Sequence, residues 1–166
     1  MTDDAPLVKL HVPLPNHWAT GGEALWARDL GGDRYQIDNV PFHIYGLNYR
    51  DIVRAVSPAP DERPRILEVL VPSGHQTIRV LFPEKTPEAE RVPFLTSLKR
   101  FGATFEGRDA HYFALDVPPT GDYEGLRDHL EELVARAFLS YETCEPRVPG
   151  SFDEVPPTSE RPEDAS

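Results

Sequence analysis

Ser73 and His75 are the residues of this chain whose types and spacing most resemble an acid–base site. A serine close to a histidine is typical of a nucleophile with its general base, and Asp51 could supply an orienting carboxylate in three dimensions. Against this, Ser73 and Gly74 are turn formers, and the sequence offers no evident oxyanion donors. We therefore favour a structural role in which His75 hydrogen-bonds to nearby backbone. A small hydrolase using His75 with Ser73 or Asp51 is the alternative.

An aromatic segment between two predicted strands is the second candidate, and the first place to expect a ligand or partner. Residues 38–46 read DNVPFHIYG, and a further tyrosine follows. Aromatic rings can line a pocket whose convergent polar groups come from short side chains. The same residues could instead reverse the chain and plug the end of a sheet with their rings. The candidate binding residues are Asp38, Asn39, Phe42, His43, Tyr45 and Tyr49.

Metal and cofactor motifs are not found in the sequence. The histidines are scattered singly, and the pair His129 and Glu132, three apart on a predicted helix, has no matching pair elsewhere. No glycine-rich phosphate loop or dinucleotide fingerprint occurs. Cys144 is the only cysteine, so no internal disulfide can form, and its acidic neighbours do not activate a thiol. We expect no metal and no cofactor, and the sequence favours a binding role over an enzymatic one without deciding between them.

The net charge of −11 bounds the partners of this protein. Such an acidic surface repels nucleic-acid phosphates and anionic membranes, whereas it steers a basic protein partner towards itself. No apolar run approaches the roughly 20 residues that span a bilayer. The first residues lack the basic and apolar regions of a signal peptide, so we expect a cytoplasmic protein. The sequence does not determine the oligomeric state.

Residues 1–64 are predicted to form a β-rich unit that positions the aromatic segment. Gly31 and Gly32 suit a hairpin between the second and third of its strands. We expect an antiparallel meander that curls into a small, open, barrel-like sheet. Its strands are predicted at residues 7–14, 24–30, 35–40 and 51–56.

Residues 65–145 are predicted to form a ferredoxin-like βαββαβ unit, which makes the whole an α+β protein. The clearest hairpin spans residues 65–82 and joins the two units; its first strand alternates so that Leu67, Val69 and Val71 share one face. Amphipathic helices are predicted between Thr86 and Gly102 and over residues 122–137. Residues 146–166 are proline-rich and acidic, and predict a disordered tail.

Five segments, in order and spacing, resemble one family of uncharacterised bacterial proteins, known as domain of unknown function 4265. They span roughly residues 23 to 140. The resemblance implies a shared fold, and it carries over no catalytic residue. The matching segments are Glu23–Arg28, Tyr35–Gly46, Asp51–Ala55, Ser73–Phe82 and Ala114–Pro118.

The sequence favours a non-catalytic binding or regulatory module, because no paired acid–base motif is present. One version is an acidic protein that blocks a protein partner with a basic surface. The alternatives are the small hydrolase described above and a dimer that senses a small molecule.

Overall fold

The computed structural model describes residues 5–13 and 21–145, which form an α+β protein built mostly of antiparallel sheet. Neither of its two helices is long and apolar enough to cross a membrane. The predicted disordered tail at 146–166 lies outside the described residues. The elements are β1 (Leu7–Pro13), β2 (Gly22–Gly31), β3 (Arg34–Ile37), β4 (Ile52–Val56), β5 (Arg65–Val71), β6 (Gln76–Leu81), α1 (Glu88–Ser97), β7 (Thr104–Gly107), β8 (Tyr112–Val117), α2 (Tyr123–Ala135) and β9 (Ser140–Thr143).

Strands β1 to β5 form the predicted meander, in which each strand pairs antiparallel with the next. The sheet does not stay open: a parallel bridge between His11 and Arg65 joins β1 to β5 and closes a barrel. Burial of alternate residues inside the barrel is the driving force. Its interior contains the fully buried side chains of Leu10, Leu25 and Ile37.

Strand β5 departs from the simple alternation predicted for it. The register against β4 shifts twice, so that Leu70 and Leu67 are the extra residues at two irregularities. Each extra residue reverses the side of the sheet on which the next side chain lies. Ile66 and Val69 therefore pack on the barrel core. Leu67 and Val71, which were predicted to share a face with Val69, are instead each 52% exposed.

The second sheet is four-stranded, with the order β7-β8-β6-β9 and antiparallel neighbours throughout. The predicted hairpin over residues 65–82 is therefore wrong, because β5 belongs to the barrel and β6 to this sheet. Both edges of β6 pair with β8 and β9, which leaves no edge for β5. The turn at Pro72–Gly74, where Gly74 has a φ of 90°, carries the chain from one sheet to the other.

Both helices cover one face of the four-stranded sheet, as their apolar stripes predict. Leu126 and Leu130 of α2 are fully buried against Ile78 and Val80 of β6. Asp122 caps α2 by accepting a hydrogen bond from the backbone N–H of Gly125 at 2.9 Å. A short 3-10 turn follows α1, from Leu98 to Phe101, and ends at Gly102 with a φ of 87°.

Candidate functional site

The aromatic loop, residues 38–50 between β3 and β4, is held between the barrel and the helix-free face of the four-stranded sheet. Glu23 of β2 fixes its backbone from the barrel side. The Glu23 carboxylate accepts hydrogen bonds from the N–H groups of Phe42, His43 and Ile44, at 2.7, 2.9 and 3.1 Å. Burial nevertheless raises the pKa of Glu23, against the effect of these three donors.

Arg79 of β6 fixes the same loop from the sheet side. Its side chain is fully buried, and Nη1 donates to the carbonyl groups of Ile44 and Pro41, at 2.8 and 3.3 Å. Its Nε forms an ion pair with Glu142 of β9 at 2.7 Å. The Tyr45 hydroxyl donates a hydrogen bond to the other carboxylate oxygen of Glu142. The centre of the Tyr45 ring lies 4.7 Å from the guanidinium carbon of Arg79.

Glu23, Arg79 and Glu142 are not among the site residues predicted from the sequence, although each is a charged residue within a strand. In β6 the residues Ile78 and Val80 face the helices, so Arg79 must face the opposite side of the sheet. A charged residue in the middle of an otherwise apolar strand is buried only when it has partners. The same alternation fits a face in solvent, so the sequence alone did not distinguish a buried Arg79 from an exposed one.

A cleft of about 480 Å³ opens beside the aromatic loop, between the barrel and β7. Trp26 of β2 contributes an exposed indole, 42% accessible, with the Lys9 ammonium 4.7 Å from its ring centre. The residues that line the cleft include Lys9, Trp26, Asn39, Phe42, His43 and Arg108.

Both signs of charge line this cleft. Lys9 and Arg108 are cationic, whereas Glu23 and Glu106 are acidic. Desolvation raises the pKa of Glu106, while a hydrogen bond from the Val40 backbone opposes that shift. The cleft can therefore offer an aromatic surface together with hydrogen-bond donors and acceptors of either charge.

The six predicted binding residues do not converge on a single pocket. Asn39, Phe42 and His43 line the cleft, as described above. Tyr45 instead contacts the buried Arg79, and Tyr49 packs edge-on against His75 with ring centres 5.2 Å apart. Asp38 lies 3.6 Å from Arg28 in a half-buried ion pair.

His75 has a carboxylate partner that the sequence analysis did not identify. Its Nδ1 lies 2.9 and 3.0 Å from the two carboxylate oxygens of Asp116 on β8, and its ring is largely buried. Desolvation raises the pKa of Asp116, and the contact with His75 opposes this. The signal was again a charged residue, Asp116, within the apolar strand YFALDV.

Ser73 and Asp51, the predicted helpers of His75, are engaged in loop structure. The Ser73 hydroxyl donates to the carbonyl of Tyr49 at 2.7 Å and accepts from the His75 backbone N–H at 3.1 Å. Asp51 is buried and accepts from the backbone N–H groups of Ser73 and Asn48, both at 2.8 Å. These contacts make both residues turn formers that join the aromatic loop to β6.

The thiol of Cys144 and the imidazole of His129 lie in structural surroundings. Cys144 donates to the carbonyl groups of Leu47 and Ile44, at 3.0 and 3.1 Å, and burial raises its pKa. His129 stacks on the ring of Phe94. Within residues 5–13 and 21–145, no group of three His, Cys, Asp or Glu side chains is arranged to hold a metal ion.

A solved structure shares this fold. A hypothetical protein from Neisseria gonorrhoeae superposes with a TM-score of 0.72 at 18% sequence identity, over 84% of this chain and 95% of that one. None of the curated proteins compared with this chain is significantly similar to it.

A family model described as domain of unknown function, DUF4265, matches residues 23–141. This range contains Glu23, the aromatic loop and Arg79, and it ends within β9, the last strand of the four-stranded sheet. The chain therefore belongs to the DUF4265 family.

Proposed function

We propose that this protein is a non-catalytic binding module that takes its partner in the cleft beside the aromatic loop. The observation that carries the proposal is the way the loop is held. Glu23 binds three of its N–H groups and Arg79 binds two of its carbonyl groups. A backbone restrained from both sides presents Phe42 and His43 without the entropic cost of ordering a loop on binding.

Trp26 supplies the anchor that such a site needs. Its indole is exposed although it is a large apolar group, and it lies at the wall of the cleft. Tryptophan is enriched among the residues that dominate binding energy at protein interfaces. An exposed tryptophan beside a restrained loop supports a protein partner in preference to a reaction centre.

The partner that we propose has a basic surface. The chain carries a net charge of −11, which accelerates encounter with a basic protein and slows encounter with an acidic one. Trp26 and Phe42 then supply short-range contacts in the cleft, and Glu106 supplies a carboxylate there. Binding of this kind weakens as salt is added, because screening removes the long-range attraction.

We also propose that the second unit is ferredoxin-like. The succession β6-α1-β7-β8-α2-β9 and the sheet order β7-β8-β6-β9 support this assignment. Its consequence for function is limited to fold analogy, since ferredoxin-like units often act as regulatory or assembly modules.

The experiment that tests the binding proposal is co-purification from the native host at rising salt with matched variants. Trp26→Ala removes the anchor, whereas Leu81→Ala removes an equally exposed apolar side chain, 42% accessible, that does not line the cleft. We expect the parent and Leu81→Ala to retain one basic protein that Trp26→Ala loses. If no basic protein is retained at low salt, the proposed partner is wrong. If Trp26→Ala retains it equally, the cleft is not the site.

The contact of His75 with Asp116 favours a second candidate function, a small hydrolase. A carboxylate at 2.9 Å orients the imidazole, as an acid–base pair requires. Ser73, the predicted nucleophile, instead donates to a backbone carbonyl. The test is turnover of generic ester and amide substrates by the parent and by His75→Ala. Absence of turnover in the parent, or equal turnover in both, eliminates this candidate.

A further inference from the structure

Strand β2 is longer than the strand on one side of it, and this leaves part of that edge open. β2 runs from Gly22 to Gly31, whereas β3 pairs with it only from Ala27 onwards. On its other edge, β1 pairs with β2 from Gly22 to Arg28. Among the residues that the structure describes, the first half of β2 therefore has a neighbouring strand on one side only.

The main-chain N–H and C=O groups of Ala24 point to this open edge. Two residues further on, the Trp26 N–H donates to the side-chain oxygen of Asn39 at 2.6 Å. The Trp26 C=O accepts from the N–H of Asp38 at 2.8 Å. Both groups of Trp26 thus point away from β1, towards the side of β3. Main-chain groups alternate between the two edges along a strand, so those of Ala24 point the same way as those of Trp26.

Strand β1 gives the same orientation independently. Ala24 lies opposite His11, and the His11 N–H donates to the carbonyl of Pro64 at 2.9 Å instead of to β2. Opposite residues of an antiparallel pair exchange both hydrogen bonds or neither, so Ala24 and His11 exchange none. Within the described chain, the N–H and C=O of Ala24 have no hydrogen-bond partner.

This open edge forms part of the cleft beside the aromatic loop. Gly22 and Ala24 line the cleft, and Trp26 and Asn39 continue the same wall. The aromatic loop does not pair with the edge, because three of its N–H groups are bonded to the carboxylate of Glu23. An unpaired strand edge is a template on which another extended chain can add.

We propose that an extended segment of the protein partner enters the cleft and adds a strand to β2 at Ala24. This inference rests on the proposed binding function and specifies the form in which the partner binds. A residue opposite Ala24 in an antiparallel strand donates to its C=O and accepts from its N–H. Because Asp38 and Asn39 already bond the main chain of Trp26, the added strand ends there, and its register is fixed.

The side chains around the edge select among extended segments. Main-chain pairing supplies affinity without sequence preference, and specificity comes from the side chains that meet the added strand. Trp26 and Phe42 offer aromatic surface to apolar side chains, and Glu106 offers a carboxylate to a lysine or arginine. With the net charge of −11, this favours a segment in which apolar and basic residues alternate.

The orientation of Ala24 is tested first, by amide hydrogen exchange in the free, isotope-labelled full chain. We expect the Ala24 N–H to exchange at least about a hundredfold faster than that of Leu25, which pairs with Leu10 inside the β1–β2 ladder. Equal protection at the two positions overturns the proposal. Protection of Ala24 that grows with protein concentration would mean that a second copy of the chain occupies the edge, and this also overturns it.

The probe for binding is acetyl-Lys-Val-Lys-Val-Lys-amide, followed through the indole N–H resonance of Trp26. The control peptide carries N-methyl groups on its second and third residues, which removes a donor from each edge and keeps the charge. We expect a Kd on the order of 1 mM for the unmodified peptide and binding at least about tenfold weaker for the control. Saturation should slow exchange at Ala24 about fivefold or more. Equal binding of the two peptides, or no saturable shift at roughly 10 mM, overturns the proposal.

Ala24→Pro is the matching protein variant, because it removes the N–H donor from the edge. This N–H lies outside the β1–β2 ladder, so proline should be tolerated there. We expect Ala24→Pro to bind the peptide at least about tenfold more weakly, and Ala24→Ser, which keeps the N–H, to bind it like the parent. Parent-like binding by a folded Ala24→Pro overturns the proposal. If Ala24→Pro does not fold, the methylated peptide still decides.

The outcomes separate this inference from the proposed function. If both peptides shift the Trp26 resonance equally and exchange at Ala24 does not change, the cleft binds without strand pairing. The inference then fails and the proposed function stands. If no basic protein co-purifies with the chain but the unmodified peptide alone protects Ala24, the proposed partner is wrong and the strand pairing stands.

Discussion

Replacing Arg79 by methionine should destabilise the protein strongly. The Arg79 side chain is fully buried, and its guanidinium contacts Glu142 at 2.7 Å and the carbonyl oxygen of Ile44 at 2.8 Å. Methionine retains much of the apolar stem but none of the charge or donors. The substitution therefore tests the electrostatic role of Arg79 with little change in packing volume.

The expected magnitude follows from what the substitution leaves behind. The Glu142 side chain is only 1% exposed, so Arg79→Met leaves a buried carboxylate without the guanidinium that contacts it at 2.7 Å. Removing one partner of a buried ion pair costs about 3–5 kcal/mol. The carbonyl groups of Pro41 and Ile44 also lose donors, but these losses overlap with relaxation of the loop and do not add fully. We expect a loss of about 3–5 kcal/mol in the free energy of unfolding.

The assay is urea denaturation of a double-mutant cycle with Arg79→Met and Glu142→Gln. Because the double variant removes both charges of this pair, it should cost less than the sum of the single variants, by about 2–3 kcal/mol. Arg54 and Glu68 provide the control cycle, since their ion pair has nearly the same length, 2.8 Å, with side chains 43% and 50% exposed. Its coupling should be only about 0.2–1 kcal/mol.

Three results would refute this reasoning. One is a cost below about 1 kcal/mol for Arg79→Met, the net value of an ordinary hydrogen bond. Another is a double variant whose cost equals the sum of the single costs. The third is an equal coupling energy in the buried and exposed cycles, which would mean that burial does not strengthen the pair.

Further predictions concern a buried carboxylate, a turn glycine and a pair of leucines. Burial raises the pKa of Glu23 above its unfolded value, so the folded state binds the proton of this carboxyl more tightly than the unfolded state does. The free energy of unfolding of the parent should therefore rise relative to that of Glu23→Gln as the pH falls from about 7 through the folded pKa. Gly102→Ala should cost about 1–3 kcal/mol in urea denaturation, because φ is 87° and a Cβ would lie 3.0 Å from Gly121 Cα. Leu10→Ala, in the barrel core, should lower the free energy of unfolding by about 2–5 kcal/mol. Leu67→Ala should lower it by less than about 0.5 kcal/mol, because Leu67 is 52% exposed.

Each of these has a contradicting outcome. A stability difference between the parent and Glu23→Gln that is constant or opposite in sign across the pH series would show that burial does not control the pKa of this carboxyl. Gly21→Ala is the matched control, because a Cβ at Gly21 meets no atom within 4 Å. If Gly21→Ala and Gly102→Ala lower the free energy of unfolding equally, the close contact with Gly121 does not explain the effect at Gly102. Equal costs for the two leucine variants would place Leu67 in a core.

Secondary structure followed from local patterns. The amphipathic stripe of α2 predicted the burial of Leu126 and Leu130, and the structure confirms it. Gly31 and Gly32 predicted the turn between β2 and β3, where both have positive φ. These features depend on residues near one another in the chain, so a window of a few turns or strands contains the necessary information.

Strand pairing did not follow from local patterns. Residues 65–82 have the alternation and the tight turn of a hairpin, yet β5 and β6 belong to different sheets. Whether two adjacent strands pair depends on which other strands compete for their edges, and β8 and β9 take both edges of β6. The same long-range pairing brings Asp116 opposite Thr77 and so within reach of His75, a partner 41 residues away in sequence.

The sequence by itself determined the α+β composition, the two helices with their buried faces, the meander and the position of the aromatic loop. It did not single out the charged residues Arg79, Asp116 and Glu142, which lie within strands β6, β8 and β9. Only the tertiary structure decided that two of these three, Arg79 and Glu142, face each other beneath the loop. The physical reason is that a buried charge is tolerated only beside its partner, and the partner of Arg79 is 63 residues away, on a strand placed by the closing of the whole sheet.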